Sequence, residues 1–237
     1  LLGGGCLALA GTVMQNVLRN PLASPFTLGV SQGAAFGAAF AIIVLGAGGL
    51  SGAAASAAAG PGIIAAAAFA GSLVTVAVLL LLSAVRDLSP AAMILAGVAL
   101  GSFFGAATML LQYFGTELEV AAAVFWTFGD LGKGGWDNLW VMAAVLVPAA
   151  AFCAWNRWQF NKLLWGDDTA ESLGVRVARL RLCTLVLAAL LSAVTTAFLG
   201  IIGFVGLVAP HLVRMIVGQD HRFLVPYAII AGALLLA

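Results

Sequence analysis

Six stretches without a charged side chain divide this chain: residues 1–18, 20–85, 88–116, 138–156, 182–213 and 223–237. A helix that crosses a hydrocarbon core of ~30 Å needs about 20 residues, so the four inner stretches are long enough to hold a membrane helix and the two terminal ones are shorter. The stretch 20–85 must hold two, and "GAGGLSGAAASAAAGPG" (residues 46–62) separates them, because its Gly, Ser and Pro favour a loop. The predicted spans are 1–18, 26–46, 62–84, 90–113, 138–156, 182–199, 204–217 and 225–237. The first residue is Leu1 rather than Met, and Ala237 falls inside an apolar run. Both observations predict a piece of a longer chain, cut within a membrane helix at each end.

The stretch 182–213 does not fit a simple crossing. As one helix it would be about 48 Å long, too long for one passage and too short for two. The break falls at "GIIGFVG" (residues 200–206), and a short helix follows it. Irregular backbone at membrane depth persists only where protein surrounds it or where it lines a cavity. The expected architecture is therefore all-α: a polytopic helical bundle forming one membrane domain over residues 1–237.

Composition makes lipid the solvent. Hydrophobic residues are 63% of the chain and charged residues 8%, against about 25% charged in a soluble domain. Mean hydropathy is +1.14. The formal net charge of +1 and the lack of a basic run give no reason to expect nucleic acid as a partner. Cys6, Cys153 and Cys183 are far apart in apolar runs, as small buried residues would be.

Ten Lys and Arg side chains orient the bundle. With the spans above, Arg19, Arg86, Arg157, Lys162, Arg176, Arg179, Arg181, Arg214 and Arg222 share one side. Lys133 falls on the other side, with Glu117, Glu119 and Asp130. Excess positive charge marks the cytoplasmic face.

On that face lies the most polar segment of the chain, "LLWGDDTAESLGVRVARLR" (residues 163–181). Asp167 and Asp168 suit the first turn of a short helix, and Gly174 suits its C-terminal cap. A helix lying on the membrane surface is one reading. Surface helices, however, usually present Lys and Arg to anionic lipid, whereas this one presents acids. A helix that docks on a partner is the reading the charges favour.

Two predicted spans, "SPFTLGVSQG" (residues 24–33) and "SPAAMILAGVALG" (residues 89–101), open with Ser-Pro and run into glycines four residues apart. These are Gly29, Gly33 and Gly37, then Gly97, Gly101 and Gly105. Small residues at this spacing let helices approach closely in lipid, so tight packing is expected, with a flexible wall of a transport path as the alternative.

Motifs for catalysis are missing from the sequence. "GDLGKGG" (residues 129–135) has Gly-Lys without a following Ser or Thr, so it is not a phosphate-binding loop. No HExxH or clustered His occurs, and no ionisable residue sits in mid-span. That last fact weighs against a secondary transporter coupled to an ion gradient. His211 and His221 stand alone and suit structural roles. The sequence contains no site for a metal or a cofactor, and a transporter fits it better than an enzyme.

Five segments together resemble the FecCD permeases of type II ABC importers, which carry iron–siderophore complexes, haem or cobalamin. They are "GTVMQNVLRNPLASPFTLGVSQGAAFGA" (residues 11–38), "LAGVALG" (95–101), "FWTFGDLGKGGW" (125–136), residues 163–181, and "GIIGFVGLVAPHLVRMIVGQDHRFLVP" (200–226). The resemblance implies a ten-helix permease fold in the cell membrane, of which about eight helices fall within this chain. It implies a second permease subunit, in a homodimer or a mixed pair, with cytoplasmic ABC ATPase subunits below and a periplasmic or lipoprotein binding protein above. The family's coupling helix maps onto the cytoplasmic loop 161–176, at Gly166, Asp167, Asp168, Ala170, Glu171, Leu173 and Gly174. Ala170, Leu173 and Gly174 are expected to enter the ATPase, with the three acids at its rim. The family's cytoplasmic gate maps onto Ser89, Pro90 and Ala91. A ferric-siderophore-type chelate is the expected cargo, with cobalamin or haem as alternatives.

Overall fold

A computed structural model describes residues 1–47, 60–86 and 89–237. Most of the expected loop 46–62 lies outside the described residues. Eleven α-helices run in order: α1 (Leu2–Val17), α2 (Val30–Ile43), α3 (Gly60–Arg86), α4 (Pro90–Phe114), α5 (Glu117–Thr127), α6 (Trp136–Trp155), α7 (Arg157–Leu163), α8 (Asp167–Ser172), α9 (Val177–Leu199), α10 (Val205–Val217) and α11 (His221–Leu235). Among the described residues there is no strand, only an isolated bridge between Phe128 and Ile201. The chain is an all-helical, multi-pass membrane protein.

Four helices, α3, α4, α6 and α9, are long and apolar enough to cross a bilayer alone. The other predicted spans form shorter helices. The Ser-Pro entry at 24–25 starts a 3-10 turn, Pro25–Leu28, rather than an α-helix. Gly29 then turns the chain at φ +77, a left-handed conformation costly to other residues, and α2 begins at Val30 with only 14 residues. Ser89 behaves as the sequence predicts: its Oγ accepts from the Ala92 amide at 3.3 Å and caps α4.

Helix α1 occupies the centre, with every residue from Gly3 to Val17 buried. It packs against α6, α9, α10 and α11. A helix enclosed on all sides must spare room where backbones cross. A Cβ at Gly4 would strike the Gly232 carbonyl of α11, and one at Gly11 would strike the Gly206 carbonyl of α10. The Thr12 hydroxyl donates to the Ala8 carbonyl at 2.7 Å, which satisfies a polar group with no access to water.

The glycine ladders divide. Gly29 lies against the backbone of α4 at Gly97 and Gly101, and Gly33 and Gly37 meet the backbone of α3 at Gly71 and Ala67, so all three members of the first ladder sit at close helix approaches. In the second ladder, a Cβ at Gly97 would lie 2.6 Å from Leu28 Cα, whereas one at Gly101 would make ordinary contact at 3.5 Å from Gly29 Cα. Gly105 has no described atom within 4 Å of that position. The expected packing role therefore stops short of Gly105.

The break at 200–204 is covered by protein on its first half alone: Gly200 is buried and Ile201 and Ile202 are half-buried, whereas Gly203 and Phe204 are exposed among the described residues. The Asp130 amide donates to the Leu199 carbonyl at 2.8 Å, and the Phe128–Ile201 bridge lies beside it. The segment between α5 and α6 thus takes up backbone groups that the interrupted helix leaves free. Helix α5 itself has a capping box that the spacing of Thr116 and Glu119 encodes: the Thr116 amide donates to Glu119 Oε2 at 2.9 Å and the Glu119 amide to Thr116 Oγ1 at 3.4 Å.

Packing around α1 predicts opposite outcomes for two glycines. Gly11→Ala should destabilise the protein by about 1–3 kcal/mol, because the methyl meets backbone. Gly105→Ala should leave the thermal midpoint in detergent unchanged or raise it, through the higher helix propensity of Ala. Thermal unfolding followed by circular dichroism separates the two.

Candidate coupling site at the basic end

The arginine-rich end gathers the C-terminal end of α1, helices α7 and α8, and the starts of α9 and α11. Helix α8 is six residues long, with Asp167 and Asp168 in its first turn. Gly174, at φ +83, closes it. The Val175 amide donates to the Ala170 carbonyl at 3.0 Å and the Gly174 amide to the Glu171 carbonyl at 2.9 Å, the two bonds of a Schellman cap.

This helix is fastened to the bundle. Arg181 Nη2 donates to Asp167 Oδ2 at 2.8 Å, and Arg181 Nε donates to the Val17 carbonyl at 3.1 Å. One guanidinium therefore joins α8, α9 and the last turn of α1. Lys162 Nζ donates to the Leu173 carbonyl at 3.0 Å across the cap. Asn16 Nδ2 donates to the Phe160 carbonyl at 3.2 Å and ties α1 to α7.

A second tie lies beside it. Asn161 Nδ2 donates to Asp220 Oδ1 at 2.8 Å, while Asn161 Oδ1 accepts from the His221 amide at 2.9 Å and lies 3.0 Å from His221 Nδ1. Asn161 Oδ1 is an acceptor, so Nδ1 of His221 carries the proton. Asp220 caps α11, and hydrogen bonds from the Arg222 side chain and amide hold its carboxyl well below the usual carboxylate range, with Asn161 adding to them. Arg214 Nη2 donates to Gln15 Oε1 at 2.7 Å, and a cleft of about 280 Å³ opens between these groups and Arg19. Both histidines were expected to be structural; His221 is buried in this network, stacked on Phe160, and His211 is exposed.

The face that α8 leaves open differs from the one its sequence suggested. Ala170 is fully buried against the chain's own core, so it cannot insert into a partner. Asp167 is engaged by Arg181 rather than free at a rim. The outward surface is formed by Trp165 (78% exposed), Leu173 (51%) and Leu164 (39%), with the exposed side chains of Asp168 and Glu171 beside them. Large apolar groups on a polar end mark a binding surface. Trp165 and Leu164 were missed because they precede the helix that carries the acids.

The residues onto which the resemblance maps a gate lie apart from α8. Ser89 and Ala91 are exposed and Pro90 is half-buried at the start of α4. No described hydrogen bond joins them to α8; the contacts that lie between the two regions run by way of α1. The chain leaves α1 at Leu18, turns through Arg19 at φ +48 and reaches the 3-10 turn whose Leu28 packs on Gly97 of α4.

The FecCD transport family matches residues 1–237, the whole chain. The chain belongs to the FecCD transport family. A protein of Methanocaldococcus jannaschii named as an ABC transporter permease is 52% identical over 236 residues, 100% of this chain and 68% of its relative. A vitamin B12 import permease of Salmonella paratyphi A is 37% identical over 236 residues, covering 100% of this chain and 69% of that one. A hemin permease of Yersinia pestis is 38% identical over 169 residues, 71% of this chain and 51% of its own length. An inward-facing metal-chelate type ABC transporter of solved structure superposes with a TM-score of 0.86 at 32% identity, covering 99% of this chain and 71% of that one. The matched regions of this FecCD chain cover between 51% and 71% of the length of these relatives, with the fold of an ABC importer permease.

The Arg181 tie predicts a contrast between adjacent acids. Asp167→Asn should lower stability by about 1–3 kcal/mol, because it weakens a charge-assisted bond and leaves a largely covered guanidinium without its counter-charge. Asp168→Asn, on the exposed face, should stay within about 0.5 kcal/mol of the parent. Thermal midpoints of the purified protein decide it.

Proposed function

We propose that this chain is the membrane-spanning subunit of an ATP-driven importer, passing a ferric-siderophore-type chelate to the cytoplasm by alternating access. A periplasmic or lipoprotein binding protein delivers the chelate, cytoplasmic ABC ATPases supply the energy, and two permease subunits, most simply identical, enclose the path. The chain itself is a transporter subunit without catalytic residues, and hydrolysis belongs to the partner. The observation that carries this reading is the apolar surface of Trp165, Leu164 and Leu173, held beside α8 by the Arg181–Asp167 and Lys162–Leu173 bonds.

The positive-inside bias puts that surface in the cytoplasm, where an ATPase can reach it. Asp168 and Glu171 meet basic groups at the partner's rim, while Leu173 and Trp165 enter its groove. Movement of α8 pulls on Arg181, hence on the last turn of α1. The segment after α1 carries that displacement to Leu28 and Gly97, and so to the gate at Ser89, Pro90 and Ala91. A rigid element that has two positions and touches both sites is what such coupling needs.

A second reading of the cargo has its own support. The relatives named for hemin and vitamin B12 make a haem or a corrinoid the alternative substrate. Uptake assays with the cognate binding protein, run with a ferric siderophore, hemin and cobalamin in competition, separate the three.

Trp165→Ala combined with Leu173→Arg tests the docking surface without disturbing the buried Ala170. The variant should insert and keep its thermal midpoint, yet lose at least about tenfold in ATPase affinity, the loss of an apolar anchor at an interface centre. Wild-type ATPase binding together with wild-type uptake would remove this surface from the mechanism.

A further inference from the structure

A second groove at the basic end lies on the α6–α9 side. It measures about 450 Å³ and is lined by Phe152, Trp155, Asn156, Gln159, Arg176 and Arg179, among others. Asn156 and Gln159 are used internally: Gln159 Nε2 donates to Asn156 Oδ1 at 2.9 Å and Asn156 Nδ2 to the Phe152 carbonyl at 2.9 Å. The arginines are not. Arg181 and Arg222 each have a carboxylate partner, whereas neither Arg176 nor Arg179 has one among the described residues. Both are exposed, three residues apart at the start of α9, with no acidic side chain lining the groove.

The groove continues into a membrane face. Along α6 the exposed positions Val147, Ala151 and Trp155 recur every fourth residue and lead from mid-helix to the groove's rim. Trp155 is 86% exposed, and Trp158 follows it at 53%. Tryptophan at a helix end marks the headgroup level, and basic pockets between membrane helices suit lipid phosphates. A guanidinium binds phosphate in a planar fork, and two of them can share its oxygens.

We infer that this groove holds one anionic phospholipid, its phosphate between Arg176 and Arg179, its glycerol region against Trp155 and an acyl chain along the Val147–Ala151 face of α6. A lipid is favoured over a soluble anion because Trp155 both lines the charged groove and ends the exposed Val147–Ala151–Trp155 stripe of α6. It is favoured over the ATPase because Phe152, Leu180 and Cys183 place the groove floor on α6 and α9, and only Gly174 of its lining belongs to the α8 cap beside Leu173. The lipid site rests on the proposed orientation only for the leaflet that supplies the lipid.

The test uses the assembled transporter, delipidated and titrated with phosphatidylglycerol or phosphatidylcholine under native mass spectrometry. The parent should bind one phosphatidylglycerol per permease subunit in preference to phosphatidylcholine. Arg176→Gln with Arg179→Gln should weaken that binding about 30-fold, at about 1 kcal/mol for each lost charge near a lipid surface. Arg157→Gln, on the other side of α6, should leave it intact, and Arg176→Lys with Arg179→Lys should retain most of it. Circular dichroism and gel filtration establish that the variants are folded. Unchanged phosphatidylglycerol affinity in the double Gln variant overturns the inference. So does loss of ATPase association with lipid binding intact, which would assign the arginines to the protein partner. Thiol labelling of a Ser172→Cys variant from each side reports the orientation separately, so a wrong leaflet is told apart from a missing lipid site.

Discussion

The fold depends on the burial of α1. A helix with no exposed face from Gly3 to Val17 can be surrounded only if its neighbours come close enough to touch backbone. Gly4 against Gly232 and Gly11 against Gly206 provide that approach on two different neighbours. In lipid no hydrophobic force pulls apolar helices together, so dispersion across such close crossings must hold the bundle. The same constraint accommodates the short α10, which leans on α1 and need not span the bilayer alone.

Because α1 is central, whatever grips its last turn is connected to the rest of the bundle. Arg181 does so through the Val17 carbonyl, Asn16 through Phe160, and Gln15 through Arg214. These bonds lie at the end of the bundle, where polar groups are least costly. They leave the membrane interior free of ionic ties while joining α7, α8, α9 and α10 to a common support. The proposed coupling follows from this arrangement: α8 is short and exposed on one face, but cannot move without its anchor.

Much of the architecture could be read from the chain. Charge-free runs located the helices, and "GIIGFVG" marked the interruption between α9 and α10. Asp167, Asp168 and Gly174 announced the ends of α8. The errors have physical causes. Periodicity in a uniformly apolar helix does not say which face meets protein, so Gly105 looked like Gly33 although one is open and the other is pressed on α3. Ala170 looked like a partner contact because a small residue is equally suited to a partner's groove and to the chain's own core. The 3-10 turn at Pro25–Leu28 was hidden because Ser-Pro opens either helix type. Helices α5 and α7 were passed over because only long apolar runs were counted, although the Thr116 and Glu119 pair was visible.

The central claim is that displacement of α8 reaches the gate through Arg181 and α1. Spin labels at Ala91→Cys in the two permease subunits of the assembled transporter, measured by pulsed electron paramagnetic resonance with and without ATP, test it most directly. The account predicts that ATP shifts the distance between the labels in the parent, and that Arg181→Gln abolishes the shift while the ATPases remain bound. A full shift in the Arg181→Gln transporter would contradict it.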